Sequence, residues 1–200
     1  MNKPNDFDDV KEFSAFSPLE PGGYICRIVQ VQETTSQRGA PMLKIGLDIA
    51  EGPRKGFYAD MFKNDTRTDK KWGCVVNQLV YDSNGGNTTN RGFKTFITCA
   101  EKSNSGFRTA WGDRFAECFK GRLIGGVFRR EQYVGTDGKP HFNTKCAWFR
   151  TVDEIRAGVA VPEDKLLDNI PQNTAAPASA APSFDPSEFE EIISDSDLPF

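Results

Sequence analysis

Two β-prone runs separated by a five-residue polar turn constrain this chain more than any other feature. Residues 123–134 and 141–152 flank Gly135, Thr136, Asp137, Gly138 and Lys139. Runs of that length around a turn with two glycines read as a long β-hairpin. Earlier in the chain, Leu43, Ile45, Leu47 and Ile49 alternate strictly with Lys44, Gly46 and Asp48. A period of two puts one face of such a strand in a core and the other toward solvent.

The remaining segments fall around these strands. Gly22 and Gly23 launch a β-branched run over 24–33, a first strand, and the turn 34–41 leads into the alternating strand. A hairpin loop over 51–56 introduces a third strand predicted at 57–63. Between 66 and 83 the pattern changes: Trp72, Val75, Val76, Leu79 and Val80 recur at three and four residues, which predicts a helix. Residues 93–98 read as a short strand or helix, and 111–119 as a short helix stopped near Gly121. The expectation is a mainly β domain. Five short strands with a helical insertion between strands 3 and 4 suit a small oligonucleotide-binding (OB) barrel, with a β-sandwich as the alternative. Its limits are 22–158, preceded by an N-terminal arm (1–21) and followed by a flexible linker (159–182) and an acidic tip (183–200).

Charge is segregated along the chain. Residues 21–150 hold 21 Lys and Arg against 12 Asp and Glu, a net of +9, whereas 171–200 hold six acids and no base. A basic centre between acidic ends suits a protein that handles a polyanion. The five cysteines are odd in number, widely spaced and without a C-x-x-C pair, so they read as reduced thiols in an intracellular, cytoplasmic protein. The N-terminus lacks the apolar run of a signal peptide, and no apolar stretch suits a membrane span.

Catalytic signals are weak. His141 is the only histidine and sits beside Pro140 at a turn, and no hydrolase, metalloprotease or phosphate-loop motif is present. Asp48, Glu51 and Asp60 could gather a metal for nuclease work, although acids at strand ends and loops are ordinarily solvated. The reading is of a non-enzyme with no cofactor and no metal.

Binding signals are stronger, because basic and aromatic residues interleave. The candidate nucleic-acid contacts are Arg27, Lys44, Tyr58, Phe62, Lys63, Lys70, Lys71 and Trp72, with Arg129, Arg130, Lys145, Trp148 and Arg150 on the final hairpin. Single strands are held by cations tracking phosphates and by aromatic faces stacking on bases. Much of this aromatic set must also fill a core. Alternation sends Phe57 and Tyr58 to opposite faces, and likewise Trp148 and Phe149, so at most one ring of each pair is exposed.

The last eighteen residues carry Asp185, Glu188, Glu190, Glu191, Asp195 and Asp197 and end on Leu198, Pro199 and Phe200. So acidic a block repels itself and should be disordered. Its terminal Phe offers an aromatic ring and a free carboxylate to a pocket with an apolar slot and a cation.

This combination resembles the single-stranded-DNA-binding proteins of bacteria and their phages, in particular divergent phage-encoded versions. Those join an OB domain to a flexible linker and an acidic tip ending in Pro-Phe, as at Pro199 and Phe200. The resemblance implies coating of single-stranded DNA during replication, recombination and repair. It also implies docking of Asp195, Asp197, Leu198, Pro199 and Phe200 into basic-rimmed pockets on replication and recombination enzymes. The tail would compete with DNA for the basic groove, and a free edge strand could pair subunits into a homo-oligomer. Two rival readings are an acidic DNA mimic that inhibits an enzyme, and a metal-dependent nuclease.

Overall fold

A computed structural model describes residues 17–82 and 88–167. The N-terminal arm through residue 16 and the acidic tip, including Asp195, Asp197, Leu198, Pro199 and Phe200, lie outside the described residues.

The chain runs β1 (Gly22–Thr35), β2 (Pro41–Ile49), α1 (Phe57–Asn64), β3 (Val75–Leu79), α2 (Arg91–Ser103), a 3₁₀ turn (Glu117–Phe119), β4 (Leu123–Val134), β5 (Pro140–Arg150) and α3 (Val152–Ala157). The strands form one antiparallel sheet in the order β3-β2-β1-β4-β5. The domain is therefore mainly β with five strands, as the sequence predicts, and the helix between the third and fourth is α2 rather than the segment 66–83. The hairpin stands as expected: Gly135 N–H donates to Lys139 O at 2.9 Å, and Gly138 takes φ +71°, where only glycine is unstrained. Strand β5 stops at Arg150 because Thr151 and Glu154 form a reciprocal cap that starts α3.

Three local expectations are overturned. The predicted third strand at 57–63 is α1. Tyr58 and Phe62, one helical turn apart, both point into the core. The helix gains its start from outside: the Asp48 carboxylate on β2 accepts the N–H groups of Tyr58 (2.9 Å) and Ile49 (2.8 Å), supplying the anionic cap that Gly56 cannot. The predicted helix over 66–83 instead contains β3, paired to β2 with Val76 opposite Ile45 and Leu79 opposite Met42. Adjacent β-branched Val75 and Val76 prefer extended backbone, and their three-and-four spacing from Trp72 imitated a helix. The helix predicted over 111–119 shrinks to the 3₁₀ turn. By contrast, 93–98 falls within α2, whose N-terminus is capped by the Asn90 side chain.

The core lies on one face of the sheet. Cys26, Ile28, Leu43, Ile45, Leu47, Ile49, Ile124 and Phe128 project into it and meet Phe93, Phe96 and Ile97 of α2. A bulge between Ile28 and Gln30 lets the consecutive residues Ile28 and Val29 both be buried. Asn104, just past α2, latches the helix to the sheet: its amide exchanges hydrogen bonds with the backbone of Leu123, at 2.8 and 3.0 Å. Cys26 is a fully buried thiol and Cys146 a half-buried one at the edge of the core. Desolvation raises the pKa of both, that of Cys146 to about 12, so they remain protonated packing groups.

The opposite face is only partly covered. Ile25, Ala50 and Val152 make a small satellite cluster with Leu123 and Ile155 beneath α3. Gly125 and Gly23 permit that close approach, because a Cβ at either would overlap Ile155 or Val159. Among the described residues no helix is long and apolar enough to cross a membrane.

Candidate nucleic-acid interface

Pairing register decides which predicted residues share a surface, since directly opposed residues point to the same side of a sheet. Arg27 pairs with Asp48 and Leu123, Lys44 with Gln32 and Asn77, Arg129 with Lys145, Val127 with Trp148, and Gly125 with Arg150. Arg27, Lys44, Arg129, Lys145, Trp148 and Arg150 thus stand on the face away from the core. Arg130, one residue on from Arg129, points to the other side, where its guanidinium lies 4.9 Å from the Phe142 ring centre.

Two clefts meet along β5, one on this surface and one at the gap between the sheet edges, where Val76 and Gln78 oppose the core residues Ile45 and Leu43. The larger, about 700 Å³, lies between Val127, Arg129, Trp148 and Arg150 of the sheet and the segment 159–165. The smaller, about 250 Å³, separates the two sheet edges, with Val76 and Gln78 of β3 on one side and residues 146–150 of β5 on the other. Arg91, Gly92 and Thr95 of α2 close its end. Trp148 and Arg150 line both clefts. The Trp148 indole is 44% exposed. The Arg129 guanidinium sits 5.2 Å from its centre and is oriented by Glu131, whose Oε1 accepts from Nη2 at 2.8 Å. Its neighbour Phe149 is buried, which resolves the alternation between the two rings.

The segment 159–165 belongs to the region expected as linker, yet through Leu167 it is laid on the outer edge of β4. Lys165 bridges to Glu131 in parallel. Its N–H donates to Arg130 O (2.9 Å) and its carbonyl accepts from Gln132 N–H (2.8 Å). Asp164 forms an ion pair with Arg130, whose Nε–H reaches both carboxylate oxygens at 3.1 and 3.0 Å. That edge is available because β1 begins at Gly22, opposite Phe128, and leaves the outer part of β4 without a neighbour.

Three predicted contacts are in the core instead. Tyr58 and Phe62 are each 3% exposed and Trp72 is 1% exposed, with its Nε1–H donating to Leu47 O at 2.8 Å. A ring sealed on both faces has none to offer a base. Lys63, on α1, and Lys70 and Lys71, in the following loop, line neither cleft. Lys70 stands 4.5 Å from the Phe62 ring centre.

Two of the three acids raised for metal binding, Asp48 and Glu51, are occupied otherwise, and Asp60 lies on α1. Burial pushes the Asp48 carboxyl above its usual range, while its N–H partners pull it back. Glu51 pairs with Arg156 at 3.2 Å. Among the described residues no group of three or more His, Cys, Asp or Glu gathers as a metal site. His141 faces Asp137 at 2.9 Å across the hairpin turn.

Two residues escaped the sequence reading. Arg91, immediately after the Asn90 cap, lines the smaller cleft. Trp111 is the most exposed large hydrophobic residue described, at 67%. Its flanking Arg108 and Arg114 are the interleaving signal used elsewhere, and assigning 111–119 to a helix obscured it.

Residues 5–79 match a family described as a protein of unknown function (DUF669). The match runs from the N-terminal arm to the end of β3 and does not include β5. No curated protein matches the chain.

Proposed function

We propose that this protein is a non-enzymatic, sequence-tolerant binder of single-stranded DNA, with the strand crossing β5. The observation that carries this reading is Trp148, a half-exposed indole shared by two adjoining clefts with a guanidinium over its ring. An aromatic face beside Arg129, Arg150 and Arg91 is the chemistry that a stacked base and its phosphates require. The strand order supports an oligonucleotide-binding barrel. Residues of both end strands, β3 and β5, line the smaller cleft, which supports reading the sheet as a partly open barrel with α2 between its third and fourth strands.

In this reading the segment 159–167, part of which walls the larger cleft, gives way when DNA arrives. The acidic tip at Asp195, Asp197, Leu198, Pro199 and Phe200 then recruits replication and recombination enzymes. Its role rests on the sequence.

The test is titration of the full chain with oligo-dT and with duplex over a salt series. Affinity for oligo-dT should exceed that for duplex and fall steeply with salt. Trp148→Ala should weaken oligo-dT binding by roughly 5- to 150-fold, the worth of one stacked base. Equal affinity for single and double strands overturns the reading.

A further inference from the structure

Trp111 is a large apolar ring left mostly in water, yet it is firmly placed. The segment carrying it is pinned at both ends by buried Phe107 and Phe115. Thr109 N–H donates to Glu101 Oε1 on α2 at 2.9 Å. Gly112, at φ +85°, makes the turn that Phe115 N–H closes on Gly112 O at 2.9 Å. The indole lies stacked on Phe115, with ring centres 5.3 Å apart and planes 24° from parallel, and 6.4 Å from Phe93. Phe115 in turn packs against Phe119 in the core. A fold that needed only burial would turn such a ring inward. Here an aromatic stack braces one face of the indole from below.

The surroundings carry both signs of charge, with the acids Asp113 and Glu117 exposed on the same segment. Arg108, Arg114 and Lys94 are exposed. Hydrogen bonds from Thr109 hold the Glu101 carboxyl below its usual range, and the charges of Arg108 and Lys94 add to this. Among the described residues none of these three cations forms a salt bridge.

The position relative to Trp148 gives the ring a use. Arg91, Gly92 and Thr95 face the smaller cleft beside Trp148. On the opposite flank of the same helix, Phe93 and Glu101 hold the Trp111 segment. The two exposed tryptophans therefore stand on either side of α2, a helix about 10 Å across.

We infer that Trp111 is a second stacking station. A bound single strand leaves Trp148 through the smaller cleft, passes Arg91 at the start of α2 and stacks a further base on Trp111, with Arg108 and Arg114 meeting its phosphates. The inference rests on the single-strand reading and lengthens its footprint. A pre-braced ring loses little freedom on binding, which makes it an effective platform.

The test compares Trp111→Ala with the unaltered full chain on two oligo-dT lengths. One is about 6 nucleotides and the other about 20, against the roughly 4–16 that one such domain covers. The expected result is a loss of about 5- to 100-fold on the long strand that is absent on the short one, with recovery in Trp111→Phe. A second readout uses Trp148→Phe. Trp72 is sealed in the core, so fluorescence quenching by the long strand in that variant reports Trp111. Unaltered binding of the long strand by Trp111→Ala, with no quenching in Trp148→Phe, overturns the second station and leaves the single-strand reading standing. So does an equal loss on both lengths. Absence of oligo-dT binding by the unaltered chain overturns both.

Discussion

Two stretches of this chain carry the same mixture of rings and cations and end in opposite places. Residues 57–72 contain Phe57, Tyr58, Phe62, Lys63, Lys70, Lys71 and Trp72, and the end of β5 contains Lys145, Trp148, Phe149 and Arg150. In the first stretch Tyr58, Phe62 and Trp72 are sealed into the core; in the second Trp148 stands out and only Phe149 turns in. The cause is the backbone period. A helix brings residues four apart to one side, so Tyr58 and Phe62 are buried together, whereas a strand sends neighbours to opposite sides. Composition therefore nominates an interface, and local geometry decides whether the rings reach it.

The largest expected effect separates the two tryptophans by what each loses. Trp72→Ala should destabilise the fold by about 3–5 kcal/mol, the usual cost of emptying a large core site, and it leaves Leu47 O without its indole donor. Denaturant unfolding measures it. Trp148→Ala should shift the unfolding midpoint little, because the ring is half exposed, and its cost should appear in oligo-dT affinity instead. Equal stability losses in the two variants would erase the contrast.

What could be read from the sequence follows the same line. The β4–β5 hairpin was legible because its turn glycines and both strands are local, and so was the alternating strand β2. The exchange of helix and strand around residues 57–79 was not. The group that starts α1 is Asp48, ten residues upstream on another strand, and the 72-75-76-79-80 spacing fits a helix as readily as an edge strand. For the candidate site, sequence narrowed Trp148 and Phe149 to one exposed ring, and only the register with Val127 and Gly126 chose between them. The segment 159–167 was invisible as structure. Its attachment to β4 consists of two backbone hydrogen bonds, a third from Leu167 N–H to Gln132 Oε1 and an ion pair, which leave no hydrophobic pattern.

A smaller effect probes why 57–64 turned helical. Asp48→Ala removes the carboxylate that accepts the Tyr58 and Ile49 N–H groups and should cost about 0.5–2 kcal/mol, as lost helix caps do. Asp48→Asn keeps an accepting oxygen and should be far milder, with a pH signature. Burial raises the Asp48 carboxyl in the folded state. Its contribution is therefore full below the ordinary carboxylate pKa of about 4 and is lost as pH rises through the folded value. The stability of Asp48→Asn relative to the parent should rise across that window. A flat difference between the two proteins from pH 3 to pH 7 would deny the desolvation of this carboxylate.

The smallest effect falls on the exposed stretch. Arg130 and Asp164 form a surface ion pair, of a kind worth about 0.2–1 kcal/mol, which ties the segment 159–167 to β4 alongside two backbone bonds. If that segment occupies ground that DNA needs, Asp164→Asn frees the Arg130 guanidinium and loosens the cover together. Oligo-dT affinity should then rise by no more than about fivefold, and the gain should shrink with added salt, because the competing term is electrostatic. The fold should be unaffected, since the pair is solvent-exposed and lies outside the core. A fall in affinity would assign 159–167 the opposite part, as a wall of the larger cleft that helps hold the strand. In that case the exposed side of β5 and the covering segment form one binding surface, and the contrast with residues 57–72 is between a sealed core and a clamp.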